Sequence, residues 1–156
     1  MASKDTRPAV MENDVEVDRG DGYAISTDKA RLDVDYVHRY LAEESYWARG
    51  RSRTVQEAAI AHSLCFGVYR DGRQAGFARV VTDFATFGWL CDVFIDEKER
   101  GRGLGKWLIE TVAAHPDLAH VRRLMLATRD AHELYRRYGG FESLSNPERW
   151  MTRQRD

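Results

Sequence analysis

The sequence predicts an α+β fold, a mixed α/β arrangement whose central, mostly antiparallel sheet has about seven strands flanked by four helices. Three observations carry this. Three strand-like runs follow one another with only short turns between them. A glycine-rich loop then opens an alternation of helix, strand and helix. And 156 residues, 43% of them hydrophobic, suffice for one domain with a sizeable core.

The elements follow in order. Residues 1–21 are polar and read as a flexible N-terminal tail, without the basic-then-apolar layout of a secretory signal. "GYAIST" (22–27) reads as the first strand. Val34, Val37, Tyr40 and Leu41 recur at helical spacing behind Asp33, a residue suited to an N-cap. After the loop "SYWARGRS", the run "TVQEAAIAHS" reads as a second helix, with Thr54 and Glu57 at capping-box spacing. "SLCFGVY", "AGFARVV" and "WLCDVFI" are three strands, the first two joined through Asp71-Gly72, a tight-hairpin signal. "LGKWLIETVAAH" is a helix that His115-Pro116 ends. "RRLMLAT" is a strand, "DAHELYRRYG" a helix, and "GFES" and "RWMTR" are final edge elements.

Composition excludes several classes. No run is long enough to span a membrane. The formal net charge of −1 gives a nucleic-acid partner no global support. Charge is uneven, however: residues 1–97 carry 12 Lys and Arg against 17 Asp and Glu, and residues 98–156 carry 12 against 8. An anionic ligand near the glycine loop fits that asymmetry. Cys65 and Cys91 have no disulfide or metal spacing, and the five histidines are scattered, so a reduced compartment, the cytoplasm, and no metal are expected.

"RGRGLGKW" (100–107) lies between a strand and a helix, where amide N–H groups and the helix dipole gather around phosphate. A P-loop needs four residues between its glycines before Gly-Lys-Ser/Thr; Gly101 and Gly105 are separated by three, and Trp107 replaces the hydroxyl residue. A dinucleotide fingerprint needs a third glycine where Lys106 stands. The pattern that fits is Arg/Gln-x-x-Gly-x-Gly/Ala, met by Arg100 to Gly105.

With "HELYRRYGGF" downstream and the element order, the chain from about Tyr23 to Met151 resembles the GNAT superfamily of acetyl-CoA-dependent N-acetyltransferases. The resemblance implies a single acetyltransferase-like domain over 22–156. It implies acetyl-CoA as cosubstrate, its diphosphate on the Gly101–Gly105 amides with Arg100, Arg102, Leu104 and Lys106 around it. It further implies that Val93 and Ile95 offer backbone groups to the pantetheine arm, and that Tyr135 donates a proton to the leaving sulfur. Thr128 stands where many relatives have a CoA-contacting asparagine, and Gly139-Gly140 replaces a single glycine. The strand glutamate that serves many relatives as base is absent, its positions being held by Trp89 and Cys91.

Asp92 is the only carboxylate within "WLCDVFI". A charge there is costly to bury unless paired or wet. It is therefore read as recognising a cationic amine, as a water-relayed base, or as an ion-paired structural residue. Tyr46, Trp47, Arg49 and Arg51, with Phe84, Phe87 and Trp89, are candidates for an aromatic-walled acceptor pocket in which an arginine suits a carboxylate. The expected function is acetyl transfer from acetyl-CoA to a primary amine of a small molecule in a ternary complex. A non-catalytic acyl-CoA-binding module and a peptide or protein N-acetyltransferase stand as alternatives. Neither nucleic acid nor membrane is an expected partner. Strand edges at the C-terminus make a homodimer a candidate assembly.

Overall fold

The computed structural model describes residues 14–155. One sheet runs in the order β1-β2-β3-β4-β5-β6, antiparallel throughout except for the last pair. Its strands are β1 (Glu16–Asp18), β2 (Tyr23–Ser26), β3 (Leu64–Arg70), β4 (Arg73–Thr82), β5 (Gly88–Ile95) and β6 (Leu124–Met125). Four helices cover it: α1 (Val34–Arg39, continued by a π-helical turn over Tyr40–Glu44), α2 (Arg53–Ala61), α3 (Leu104–Ala113) and α4 (His132–Gly139).

The sheet separates two cores. One holds Phe66, Val68, Val80 and Leu90 with Leu104, Leu108, Ile109 and Val112 of α3, and Leu134, Tyr135 and Tyr138 of α4 pack against it. The other holds Val37 and Leu41 with Ile60, Cys65, Phe77 and Phe94. Asp71 (φ 48) and Gly72 (φ 83) make the hairpin turn between β3 and β4 with both central residues at positive φ, the type whose twist matches the strands it joins. Asp33 caps α1 as expected, its carboxylate accepting from the Tyr36 amide at 3.0 Å.

Several expectations need correcting. Among the described residues the sheet has six strands: "GFES" and "RWMTR" form none, and the chain between them makes a 3-10 turn over Pro147–Arg149, with Pro147 at its start. The C-terminal edges that suggested a homodimer are therefore absent among the described residues. Conversely, β1 lies inside the segment read as a flexible tail, held to β2 by three residue pairs and by the Thr27 hydroxyl accepting from the Val15 amide at 2.9 Å. Residues 1–13 of that tail lie outside the described residues. Ser52, not Thr54, caps α2, accepting from the Val55 amide at 3.2 Å, so Glu57 pairs with Arg53 at 3.0 Å instead of closing a capping box.

One irregularity shapes everything near the site. Phe77 pairs with Phe94 but Arg79 pairs with Cys91, so Asp92 and Val93 together face Ala78. This is a β-bulge, with Asp92 at φ 54. It shifts the side-chain alternation by one. Cys91 and Asp92 both face the α1/α2 side, and Val93 and Ile95 pack toward the α3/α4 core while Phe94 packs into the other. A bulge also bends its strand. β5 accordingly pairs with β6 only at Gly88 and Trp89, leaving the edge from Leu90 to Ile95 without a strand partner on that side.

Candidate active site

The gap beside that free edge is a groove in two parts. At its outer end, Ile95 faces the glycine loop and Leu134 of α4 across a hollow of about 360 Å³. Further in, Val93, Cys91 and Trp89 face Thr128, Ala131 and Tyr135 across a cleft of about 530 Å³. Neighbouring residues of one strand (Val93, Ile95) and of one helix (Tyr135, Leu134) thus line both parts.

The loop supplies backbone donors. Gly101 (φ 82) and Gly103 (φ 75) adopt the left-handed conformation that glycine reaches without strain, and a Cβ on either would point into open space. These glycines therefore keep the hollow clear and set the direction of the chain entering α3. The first hydrogen bond of α3 runs from the Trp107 amide to the Gly103 carbonyl at 3.1 Å. The amides of Leu104, Gly105 and Lys106 consequently have no acceptor within the helix, and they sit at the positive end of its dipole. Leu104's side chain is buried in the core, so only its backbone serves the hollow. Arg100 lines the hollow, held to the Tyr40 hydroxyl at 3.1 Å. Arg102 is not brought to it: it lies 3.8 Å from Glu99, which Tyr23 and Arg70 also engage. Lys106 lines the rim, its ammonium 5.4 Å from the Tyr138 ring.

The inner cleft is built from side chains of distant segments. Asp92 is 3% exposed, and both of its oxygens are doubly occupied. Oδ1 accepts from Trp47 Nε1 at 3.0 Å and Arg51 Nη2 at 3.2 Å; Oδ2 accepts from Arg51 Nη1 at 2.7 Å and Arg79 Nε at 2.9 Å. A carboxylate offers about four lone-pair positions, so this one is saturated. Burial opposes its ionisation, but the hydrogen bonds and charges of Arg51 and Arg79 outweigh burial and hold it below the usual carboxylate range.

Arg79 is the residue that sequence reasoning missed. An arginine inside the apolar run "AGFARVV", one hairpin away from an aspartate inside "WLCDVFI", was the available signal, since antiparallel neighbours place such charges together.

Tyr135 lines the cleft, packs edge-on against Phe141 and has no hydrogen-bond partner for its hydroxyl among the described residues. Burial, reinforced by Tyr46, pushes it up to about 12, so it remains protonated and able to donate. The double glycine after it leaves the helix end intact: Gly140 (φ 70) is the C-cap, donating to the Tyr135 carbonyl, and Gly139 passes so close to α3 that a Cβ there would lie 2.9 Å from Ile109 Cγ2. Thr128 lines the cleft, and its hydroxyl accepts from the Ala131 amide at 3.1 Å, turning the chain into α4.

Tyr46 accepts from the Arg129 amide at 3.3 Å and lies beneath the Arg129 guanidinium, linking the two banks of the cleft. Trp47 and Trp89 also line it. Arg49 is exposed and does not, and Arg51 takes the place expected of it. Phe84 is carried away to a separate hollow beside Lys29, His62 and His115. Cys91 stands in the cleft wall with its thiol pushed up to about 11 by burial. Among the described residues no group of three or more His, Cys, Asp or Glu could hold a metal, and no helix is long and apolar enough to cross a membrane.

A mostly antiparallel sheet parted beside a bulged strand, with a glycine loop and a helix N-terminus at the mouth of the gap, defines an acetyltransferase fold. The chain belongs to the acetyltransferase (GNAT) family, whose sequence model matches residues 25–141. A crystal structure of a Xanthomonas campestris protein, provisionally assigned as a GNAT acetyltransferase, is 48% identical and superposes with a TM-score of 0.82, covering 85% of this chain and 92% of its own. A Gibberella zeae protein with a provisional acetyltransferase assignment is 32% identical, covering 81% of this chain and 88% of its own. Glucosamine-6-phosphate N-acetyltransferase from Arabidopsis thaliana shares the fold at 15% identity, with a TM-score of 0.57 over 86% of this chain and 99% of its own.

Proposed function

We propose that this acetyltransferase moves an acetyl group from acetyl-CoA to the primary amine of a small molecule, both being bound at once. The observation that carries the reading is the pair of hollows that follow one another along β5, the outer where Ile95 and Leu134 meet the glycine loop and the inner where Val93 and Tyr135 line the cleft. Residues and cosubstrate fit. The Leu104–Lys106 amides at the end of α3, with Arg100, suit a diphosphate. The backbone of Val93 and Ile95, which no strand covers on that side and where the Ile95 carbonyl meets only Arg100 Nε at 3.4 Å, suits the amide-bearing pantetheine arm, which hydrogen-bonds there as a further strand would.

Acetyl-CoA, when bound, supplies an acetyl thioester. In the transfer the amine nitrogen bonds to the carbonyl carbon, the carbon–sulfur bond breaks, and the sulfur takes a proton. The Tyr135 hydroxyl donates that proton. A β5 backbone N–H polarises the thioester carbonyl. Asp92 acts as a positioning residue that fixes Trp47, Arg51 and Arg79, since its four acceptor positions are filled. The proton of the attacking amine passes to solvent.

The test is a calorimetric titration with acetyl-CoA and free CoA, followed by thiol release against a panel of amines. Binding together with release for small amines supports the reading. Binding without release from a broad panel favours a non-catalytic acyl-CoA-binding module, and release with peptide N-termini alone would move the acceptor to the protein class.

A further inference from the structure

The inner cleft carries more positive charge than the fold neutralises. Its lining holds Arg51, Arg79 and Arg129 against Asp92 and Asp130. Arg129 has Asp130 at 3.9 Å, on the outer bank. Deeper in, Arg51 and Arg79 share the single carboxylate of Asp92, with side chains only 18% and 12% exposed. Their remaining bonds go to neutral acceptors, Arg51 to the Gln56 carboxamide at 3.0 Å and Arg79 to the Ser63 hydroxyl at 3.1 Å. The Nη2 of Arg79 has no acceptor among the described residues. One guanidinium charge is thus held, poorly hydrated, in the wall of the acceptor cleft, an arrangement that is costly until an anion joins it.

From this we infer that the acceptor is an amino-acid-like molecule that carries a carboxylate as well as its amine, and that Arg79 and Arg51 bind that carboxylate. The inference rests on the acetyl-transfer reading and gives it a substrate class. The charge count selects the anion. A carboxylate brings one negative charge and neutralises the cluster, and its oxygen can accept a charge-assisted hydrogen bond from the Arg79 Nη2 that the fold leaves open. A phosphate dianion would overshoot. A polyamine meets the opposite of what it needs, because Asp92, the one buried carboxylate of the cleft, has no acceptor position left. The same cations also disfavour the charged form of an amine brought beside them, which helps present the neutral nucleophile next to a buried carboxylate that is already saturated.

The experiment uses the full chain and matched acceptors: an amino acid, its carboxamide, the decarboxylated amine, the corresponding aminophosphonate, and spermidine. Thiol release gives kcat/KM for each, and a calorimetric titration reports acetyl-CoA binding. The expected result is a kcat/KM about tenfold to a hundredfold higher for the amino acid than for its carboxamide or decarboxylated amine, the range for a hydrogen bond between charged groups. Arg79→Gln should bring the acid-to-amide ratio toward one, and Arg79→Lys should restore part of it. Equal or better turnover of the carboxamide, spermidine or the aminophosphonate overturns the inference while acetyl transfer stands. So does turnover confined to amines without a carboxylate. Absence of acetyl-CoA binding takes down both.

Discussion

At the Ile95 end of β5 the groups facing the groove are backbone amides kept clear by glycine, whereas at the Asp92 bulge they are side chains drawn from the α1–α2 loop, β4, β5 and α4. The two regions do different work for that reason. On the proposed function, amides fixed by a loop and a helix terminus recognise the charge pattern of the donor thioester, and they tolerate little variation in backbone. On the same reading, side chains converging on a bulge set which acceptor enters, and each can change without disturbing the loop. The proposed donor site is local in sequence; the proposed acceptor site is assembled.

Substitutions at either end of β5 separate the two regions, and the largest effect is expected at the bulge. Asp92→Ala leaves two guanidiniums without their buried partner and should cost about 3–5 kcal/mol. A melting temperature unchanged from the wild type would show that the cluster does not hold the cleft. Asp92→Asn, which keeps a residue tolerant of positive φ, separates charge from backbone conformation and should fall between the two. Because the folded state holds the Asp92 carboxyl below its usual range, its contribution is present above the ordinary carboxylate pKa and is lost as pH falls through the lowered value. Acid unfolding of Asp92→Asn should accordingly show a shallower limb.

Tyr135→Phe should lower turnover about a hundredfold while leaving acetyl-CoA affinity as it was, the scale of one proton transfer. Equal turnover would remove the acid role. The tyrosine's raised value, about 12, means that its neutral form is favoured by folding. Its stabilisation is complete below the ordinary tyrosine value of about 10 and is lost as pH rises through about 12. The wild type should therefore lose more stability than Tyr135→Phe across that alkaline window.

Gly139→Ala pushes a methyl against Ile109 and Phe141 and should cost about 1–3 kcal/mol, measured by urea unfolding. The smallest stability effect belongs to Gly103→Ala, where no neighbour is met and only the positive φ is strained, about 1–2 kcal/mol. Its consequence should appear instead in acetyl-CoA affinity. A variant that binds acetyl-CoA as the wild type does would mean that the loop is not the donor's cradle.

The glycine loop, the Asp33 cap, the Asp71-Gly72 hairpin and the helix bearing Tyr135 were legible in the sequence because each is a local demand: a positive φ, a cap, a period. Ser52 was a near miss of the same kind, two capping residues competing within one turn of chain. What the sequence by itself determined about this protein is thus its fold class and a glycine loop running into a helix N-terminus, since both depend on neighbours along the chain. The tertiary structure alone decided the rest. One extra residue in β5 shifted the alternation, brought Asp92 to the side of Cys91, and closed it between Arg51 and Arg79, which stand 41 and 13 positions away. No periodicity announces a bulge, because its signature is the register of a partner strand, and register exists only once the sheet has formed.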